Sequence, residues 1–185
     1  MEISEFKKAF RHKPIPEILI GLLNFTNTIA IDDWFSQGFE FEVDEENYML
    51  KTYSLEEEFL TSLIPFALAD GTGSVYAFWL KNKENSLENT PIVAFGSEGG
   101  YHIISESIDD LLKILTFDTE VYVDHDDVSY FKSEDDEPSK FIKEYQNWLL
   151  ENYQISATNN PDEIVQKARE KYQKEFEKWM NKFLS

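Results

Sequence analysis

LIPFALADGTGSVYAFWL, residues 63–80, and PIVAFGSEGGYHIISES, residues 91–107, decide how this chain folds. Four apolar runs, Ile64–Ala69, Val75–Leu80, Ile92–Phe95 and Tyr101–Ile104, are separated by glycines or by a polar break. That is the pattern of successive strands joined by turns, and it predicts a core sheet. Asp70-Gly71-Thr72-Gly73 reads as a hairpin turn whose glycines supply positive φ, because it has neither the length nor the lysine of a phosphate-binding loop. Gly96-Ser97-Glu98-Gly99-Gly100 reads as a second turn, since it lacks the G-x-S-x-G pattern and links two strands rather than a strand and a helix.

Upstream, Ile3, Phe6, Ala9 and Phe10 recur at helical spacing until Pro14 and Pro16. Pro16 suits the opening turn of a second helix with Ile15, Ile18, Leu19, Leu22 and Leu23 along one face. Between Thr26 and Ser54 the helical period is lost. Gly38–Val43 alternates apolar and acidic residues as a half-wet strand does, and Tyr48–Tyr53 is expected to pair with it across an Asp44–Asn47 turn. Ser54 and Glu57 form a capping-box pattern that predicts a helical turn over Glu56–Thr61.

Downstream, Ser107 is placed to cap a helix bearing Ile108, Leu111, Leu112 and Leu115. Asp118–Glu137 has no clear period and reads as one strand, Glu120–Val123, plus a surface loop. Pro138 is expected to open a helix with Phe141, Ile142, Tyr145, Trp148 and Leu149 on one face. Asn160, Pro161 and Glu163 mark the start of the last helix, whose stripe runs Ile164, Val165, Ala168, Tyr172, Phe176, Trp179, Met180 and Phe183. That stripe is expected to dock on the body of the domain; a contact site for a partner is the alternative. The predicted fold class is α+β, one mainly antiparallel or mixed sheet packed by N-terminal and C-terminal helices, in a single domain of 185 residues.

Composition narrows the function classes. The chain has no cysteine, which removes disulfides, thiolate metal sites and a cysteine nucleophile. No apolar run reaches the roughly 20 residues of a membrane span, and MEISEFKKAFRHK has no signal-like run, so a cytoplasmic location is expected. The formal charge is −19, of which Asp32–Glu58 carries −9 and Asp118–Glu137 carries −8. Such a field repels nucleic acid and anionic membranes and favours a basic protein partner, unless it serves solubility alone. The residues that would form this surface are Glu40, Glu42, Asp44, Glu45 and Glu46 in the first stretch, and Asp124, Asp126, Asp127, Glu134, Asp135 and Asp136 in the second.

Other chemistry is weaker. Asp124-His125-Asp126-Asp127 offers oxygen ligands, but Ser129 and Asp135 stand where a calcium-binding loop needs glycine and glutamate, so no metal is expected. His12 stands alone beside a proline break and is assigned no role. A small hydrolase using Asp70, Ser97, Glu98 and His102 is an alternative that requires His102 to reach Ser97 or a carboxylate. No cofactor is implied.

The order of these motifs resembles the SUKH superfamily. The likeness rests on Leu63-Ile64-Pro65-Phe66-Ala67, Asp70-Gly71-Thr72-Gly73, Tyr76, Trp79-Leu80, Pro91-Ile92-Val93, Gly96-Ser97-Glu98 and the Ser107-Ile108-x-x-Leu111-Leu112 helix. Ile15-Pro16-Glu17-x-Leu19-x-x-Leu22-Leu23 looks like the family's amino-terminal helix, so the resemblance covers about residues 15–115, and residues 139–185 form a helical extension. Many members carry histidine and acid where this chain has Gly96-Ser97-Glu98, so no histidine role transfers. The family includes the yeast cell-wall assembly and glucan-synthesis regulator and many bacterial immunity proteins. The resemblance implies an α+β fold and protein binding without catalysis: neutralisation of a toxin, often a nuclease, or regulation of cell-wall synthesis.

Overall fold

A computed structural model describes every residue except His12, Glu45, 82–85 and Ser185. In chain order the elements are α1 (Ile3–Ala9), α2 (Glu17–Thr28), β1 (Glu40–Phe41), α3 (Tyr48–Lys51), α4 (Glu57–Thr61), β2 (Leu63–Leu68), β3 (Val75–Trp79), β4 (Ile92–Phe95), β5 (Tyr101–Ser105), α5 (Ile108–Leu115), β6 (Val121–Val123), β7 (Val128–Tyr130), α6 (Ile142–Tyr153) and α7 (Pro161–Met180). The fold is α+β. Strands β1 to β5 form one antiparallel sheet in sequence order, and β6 and β7 form a separate hairpin.

The four central apolar runs become β2 to β5, and their continuity has a physical reason: both faces of the sheet are buried. Ile64, Phe66, Tyr76, Phe78, Ile92, Ala94 and Ile104 share one core with residues of α1, α2, α5, α6 and the hairpin. Leu63, Val75, Ala77, Trp79, Val93, Phe95 and Ile103 share the other with Leu50 of α3, Phe59 of α4, and Ala168, Phe176 and Met180 of α7. The last helix therefore docks, with Trp179 stacked on Phe59 at 5.6 Å and Phe176 against Trp79 at 4.9 Å.

Helix α7 also closes the β5 edge of the sheet. Gln173, buried on α7, accepts the Ile103 backbone N–H through Oε1 at 3.0 Å, and its Nε2 donates to Glu177. An outward N–H of an edge strand is thereby satisfied inside the protein. Across the other face, α2 packs on α6 through Phe25, Tyr145 and Trp148. Gly21 permits this approach, because a Cβ there would run into the Tyr153 hydroxyl.

Several sequence expectations are corrected. Tyr48–Tyr53 is not a strand: Asn47 turns left-handed (φ 53°), α3 follows, and Leu50 enters the second core. The Gly38–Val43 strand shrinks to Glu40–Phe41 and pairs with β2 (Glu40 opposite Leu68), with Phe39 and Phe41 both on the aromatic core side and Glu40 exposed between them, as the alternation predicts. Ser54 does not cap α4; its hydroxyl accepts Glu56 N–H, and Glu56 holds the N-cap. Pro16 is itself the N-cap of α2. The helix expected from Pro138 begins only at Ile142, and Ser139 N–H before it donates to the Asp118 carboxylate. The acidic segment holds two short strands, not one. Ser107 does cap α5, accepting Asp110 N–H at 3.3 Å, and Pro161 occupies the first turn of α7.

Candidate functional site

One end of the sheet carries the two glycine turns, and side chains join them. Asp70 Oδ1 accepts Thr72 N–H at 2.8 Å, the Thr72 hydroxyl at 2.8 Å and Ser74 N–H at 3.0 Å, which shapes the β2–β3 turn. Burial pulls the Asp70 pKa upward, but the hydrogen bonds from Ser74 and Thr72 outweigh it and hold the carboxyl below its ordinary value. In the β4–β5 turn, Ser97 Oγ lies 2.6 Å from Thr72 Oγ1, and Ser97 N–H donates to Ser74 Oγ. From beneath, the Tyr53 hydroxyl reaches the carbonyls of Gly96 and Gly100, both at 2.8 Å.

The β6–β7 hairpin packs against this turn. Gly99 (φ 109°) and Gly100 (φ 83°) leave room that a Cβ would take from the His125 ring and the Asp124 carbonyl. His102 on β5 fastens the hairpin, with Nε2 2.7 Å from the Asp124 carbonyl oxygen. Its Nδ1 is buried without a hydrogen-bond partner among the described residues, and burial depresses the imidazole pKa. His102 thus hydrogen-bonds neither Ser97 nor a carboxylate, and the Ser97 hydroxyl is engaged by Thr72. Asp70, Ser97, Glu98 and His102 lie in neighbouring turns and strands but do not form the nucleophile, base and orienting group that a hydrolase requires.

Part of each acidic stretch lies against these turns, while Glu40 lines a different cleft, between α2 and β1. Glu42, Asp44 and Glu46 line a cleft of about 660 Å³ with Gly71, Thr72 and Gly73. Burial together with Asp44 and Glu40 raises the Glu42 pKa, the mark of carboxylates crowding one another. Exposed Glu120 lies against Gly38 and Gly71, and shares a further depression with Gln37 and Asp136. Asp124, Asp126 and Asp127 form the hairpin tip beside Gly99, while Glu134 and Asp135 are exposed in the connection after β7. Glu45 lies outside the described residues. The charge is not all free: Asp127 pairs with Arg169 at 2.7 Å and Glu46 with Lys51 at 3.6 Å.

Asp118 departs from the surface reading of its stretch. It is buried, and it accepts Gln37 N–H and Ser139 N–H while lying 3.8 Å from Lys132. It ties the segment after α5 to the Gln37 loop. Among the described residues, no group of three or more histidines and carboxylates converges on a metal position.

Sequence reading passed over a second region. A cleft of about 460 Å³ opens between the C-terminal end of α2 and β1, lined among others by Asn27, Ile31, Asp32, Trp34, Phe39 and Glu40. The only trace in the sequence is a tryptophan beside two aspartates in a stretch without period.

No family model matches the chain, and no curated protein or solved structure is significantly similar to it. No helix among the described residues is long and apolar enough to cross a membrane.

Proposed function

We propose that the chain is a non-catalytic, cytoplasmic protein-binding domain that neutralises a basic, nuclease-type toxin through its acidic end. The observation that carries this reading is that members of both acidic stretches, Glu42, Asp44 and Glu46 from the first and Glu120 and Asp124 from the second, lie against the linked β2–β3 and β4–β5 turns. Carboxylates on rigid turns at a sheet end form a fixed negative field, which steers a cationic cleft into encounter. The motif order resembling the SUKH superfamily supports the same class of function, with toxin neutralisation as its bacterial form and cell-wall regulation as its yeast form.

The test is to identify the reading frames that flank this chain's gene and to measure association kinetics against any toxin-like protein they encode. The screening length falls from about 30 Å at 0.01 M salt to about 3 Å at 1 M, so association should slow sharply while dissociation changes little. The triple variant Asp124→Asn, Asp126→Asn, Asp127→Asn should reproduce part of that slowing. Its folding stability should shift by under about 1 kcal/mol, since the Asp127–Arg169 pair is exposed. An association rate indifferent to both salt and these substitutions removes the acidic-surface mechanism. Absence of any toxin-like neighbour favours the regulator reading.

A further inference from the structure

The cleft between α2 and β1 combines features that the acidic turns do not. Trp34 is 41% exposed and Ile31 54%, yet the indole makes no ring contact among the described residues. Asp32 and Glu40 line the same cleft with no ion-pair partner among the described residues, whereas Asp33 is paired with Lys140 at 3.2 Å. The wall beneath is apolar, with Leu23, Ala30 and Phe39 buried. Thr26 and Asn27 bring in the C-terminal end of α2, whose last turn has no basic residue, so its carbonyls add partial negative charge; the Met1 N-terminal ammonium, which donates to Asn27 Oδ1 at 3.4 Å, offsets part of it, and the carboxylates of Asp32 and Glu40 leave the cleft negative.

We propose that this cleft receives an arginine side chain of the partner. A guanidinium is planar, stacks on an indole face and forks to carboxylates, and its methylene stem suits an apolar wall. An open tryptophan, two carboxylates without an ion-pair partner among the described residues and a helix carboxyl end supply those contacts together; a neutral group would leave the carboxylates unmatched and an anion would be repelled by them. The proposal rests on the basic partner inferred above. It adds the point at which that partner anchors: a stacked arginine governs how long the complex lasts, whereas the acidic turns govern how fast it forms.

The probe is a fluorescein-labelled, tryptophan-free peptide of alternating glycine and arginine, with its lysine and citrulline counterparts, titrated into the full chain at low salt. The arginine peptide should bind and change the tryptophan emission, and that change should disappear in Trp34→Phe. The double variant Asp32→Asn, Glu40→Gln should bind about tenfold more weakly, as should the citrulline peptide with the unaltered chain. Asp32 has φ 56°, a conformation asparagine also tolerates, so the double variant remains informative if Trp34→Phe fails to fold. The substitutions at Asp124, Asp126 and Asp127 should leave the emission change in place, which separates this cleft from the acidic turns whatever the toxin kinetics show. The proposal is overturned if the arginine peptide does not bind, if the emission change survives in Trp34→Phe, if the double variant binds undiminished, or if the lysine peptide binds as tightly as the arginine one.

Discussion

Replacing Gln173 with methionine tests whether a single side chain seals the β5 edge. Methionine has nearly the same volume and helix propensity, so α7 and the core lose neither packing nor local preference. What is lost is the Oε1 acceptor 3.0 Å from the N–H of Ile103, a residue that is itself fully buried, together with the Nε2 bond to Glu177 on the surface side. An orphaned buried N–H costs about 1–3 kcal/mol. For a chain of this length each kcal/mol lowers the unfolding midpoint by about 2–4 °C, so a central value of about 2 kcal/mol corresponds to about 4–8 °C. Thermal unfolding followed by circular dichroism measures the midpoint, and hydrogen exchange at the Ile103 amide reports the site itself. A midpoint within about 1 °C of the unaltered protein, together with unchanged exchange at Ile103, would refute the claim that Gln173 caps this edge.

Gly100→Ala should destabilise the protein by about 1–3 kcal/mol, because the left-handed backbone is strained and the new Cβ meets the Asp124 carbonyl. Gly73→Ala also has positive φ but points its Cβ into open space, so it should cost less; equal midpoints for the two variants would sink the packing argument. His102 is held neutral by burial, near the charges of Arg169, Asp127 and Glu177, and its folded pKa lies below 6.5. Between 6.5 and that lower value the unfolded chain takes up a proton that the folded chain does not. Its stability contribution is therefore complete above the unfolded pKa and is lost as pH falls, by at most about 1.4 kcal/mol per pH unit. Urea unfolding at pH 7 and pH 5 should show a larger loss for the unaltered chain than for His102→Gln, and equal losses would exclude His102 as the source.

Much of the architecture was legible in the residues because it depends on local rules. Apolar runs punctuated by glycine define β2 to β5, the serine before Ile108 caps α5, and the 3.6-residue stripes define α2, α6 and α7. The failures fall where local preference is weak and a distant contact is strong. Tyr48–Tyr53 carries strand-like residues, but burying Leu50 beside Phe59 and Val75 outweighs that preference and makes a helical turn. Asp118 looks like one more surface acid until Gln37 and Ser139, both remote in sequence, present their N–H groups to it.

The candidate sites divide in the same way. Charge is additive along a chain, so the sequence alone determined that two acidic stretches dominate the net charge. Whether those stretches meet depends on sheet order and on which turns touch, and only the tertiary structure decided it, through contacts such as Thr72 with Ser97 and Glu120 with Gly71. The same holds for His102, whose ring direction decides between a base and a fastener, and for Trp34, which became part of a cleft only when α2 and β1 closed around it. Side-chain direction and long-range proximity follow from packing, to which every element contributes at once, and no window of sequence contains them.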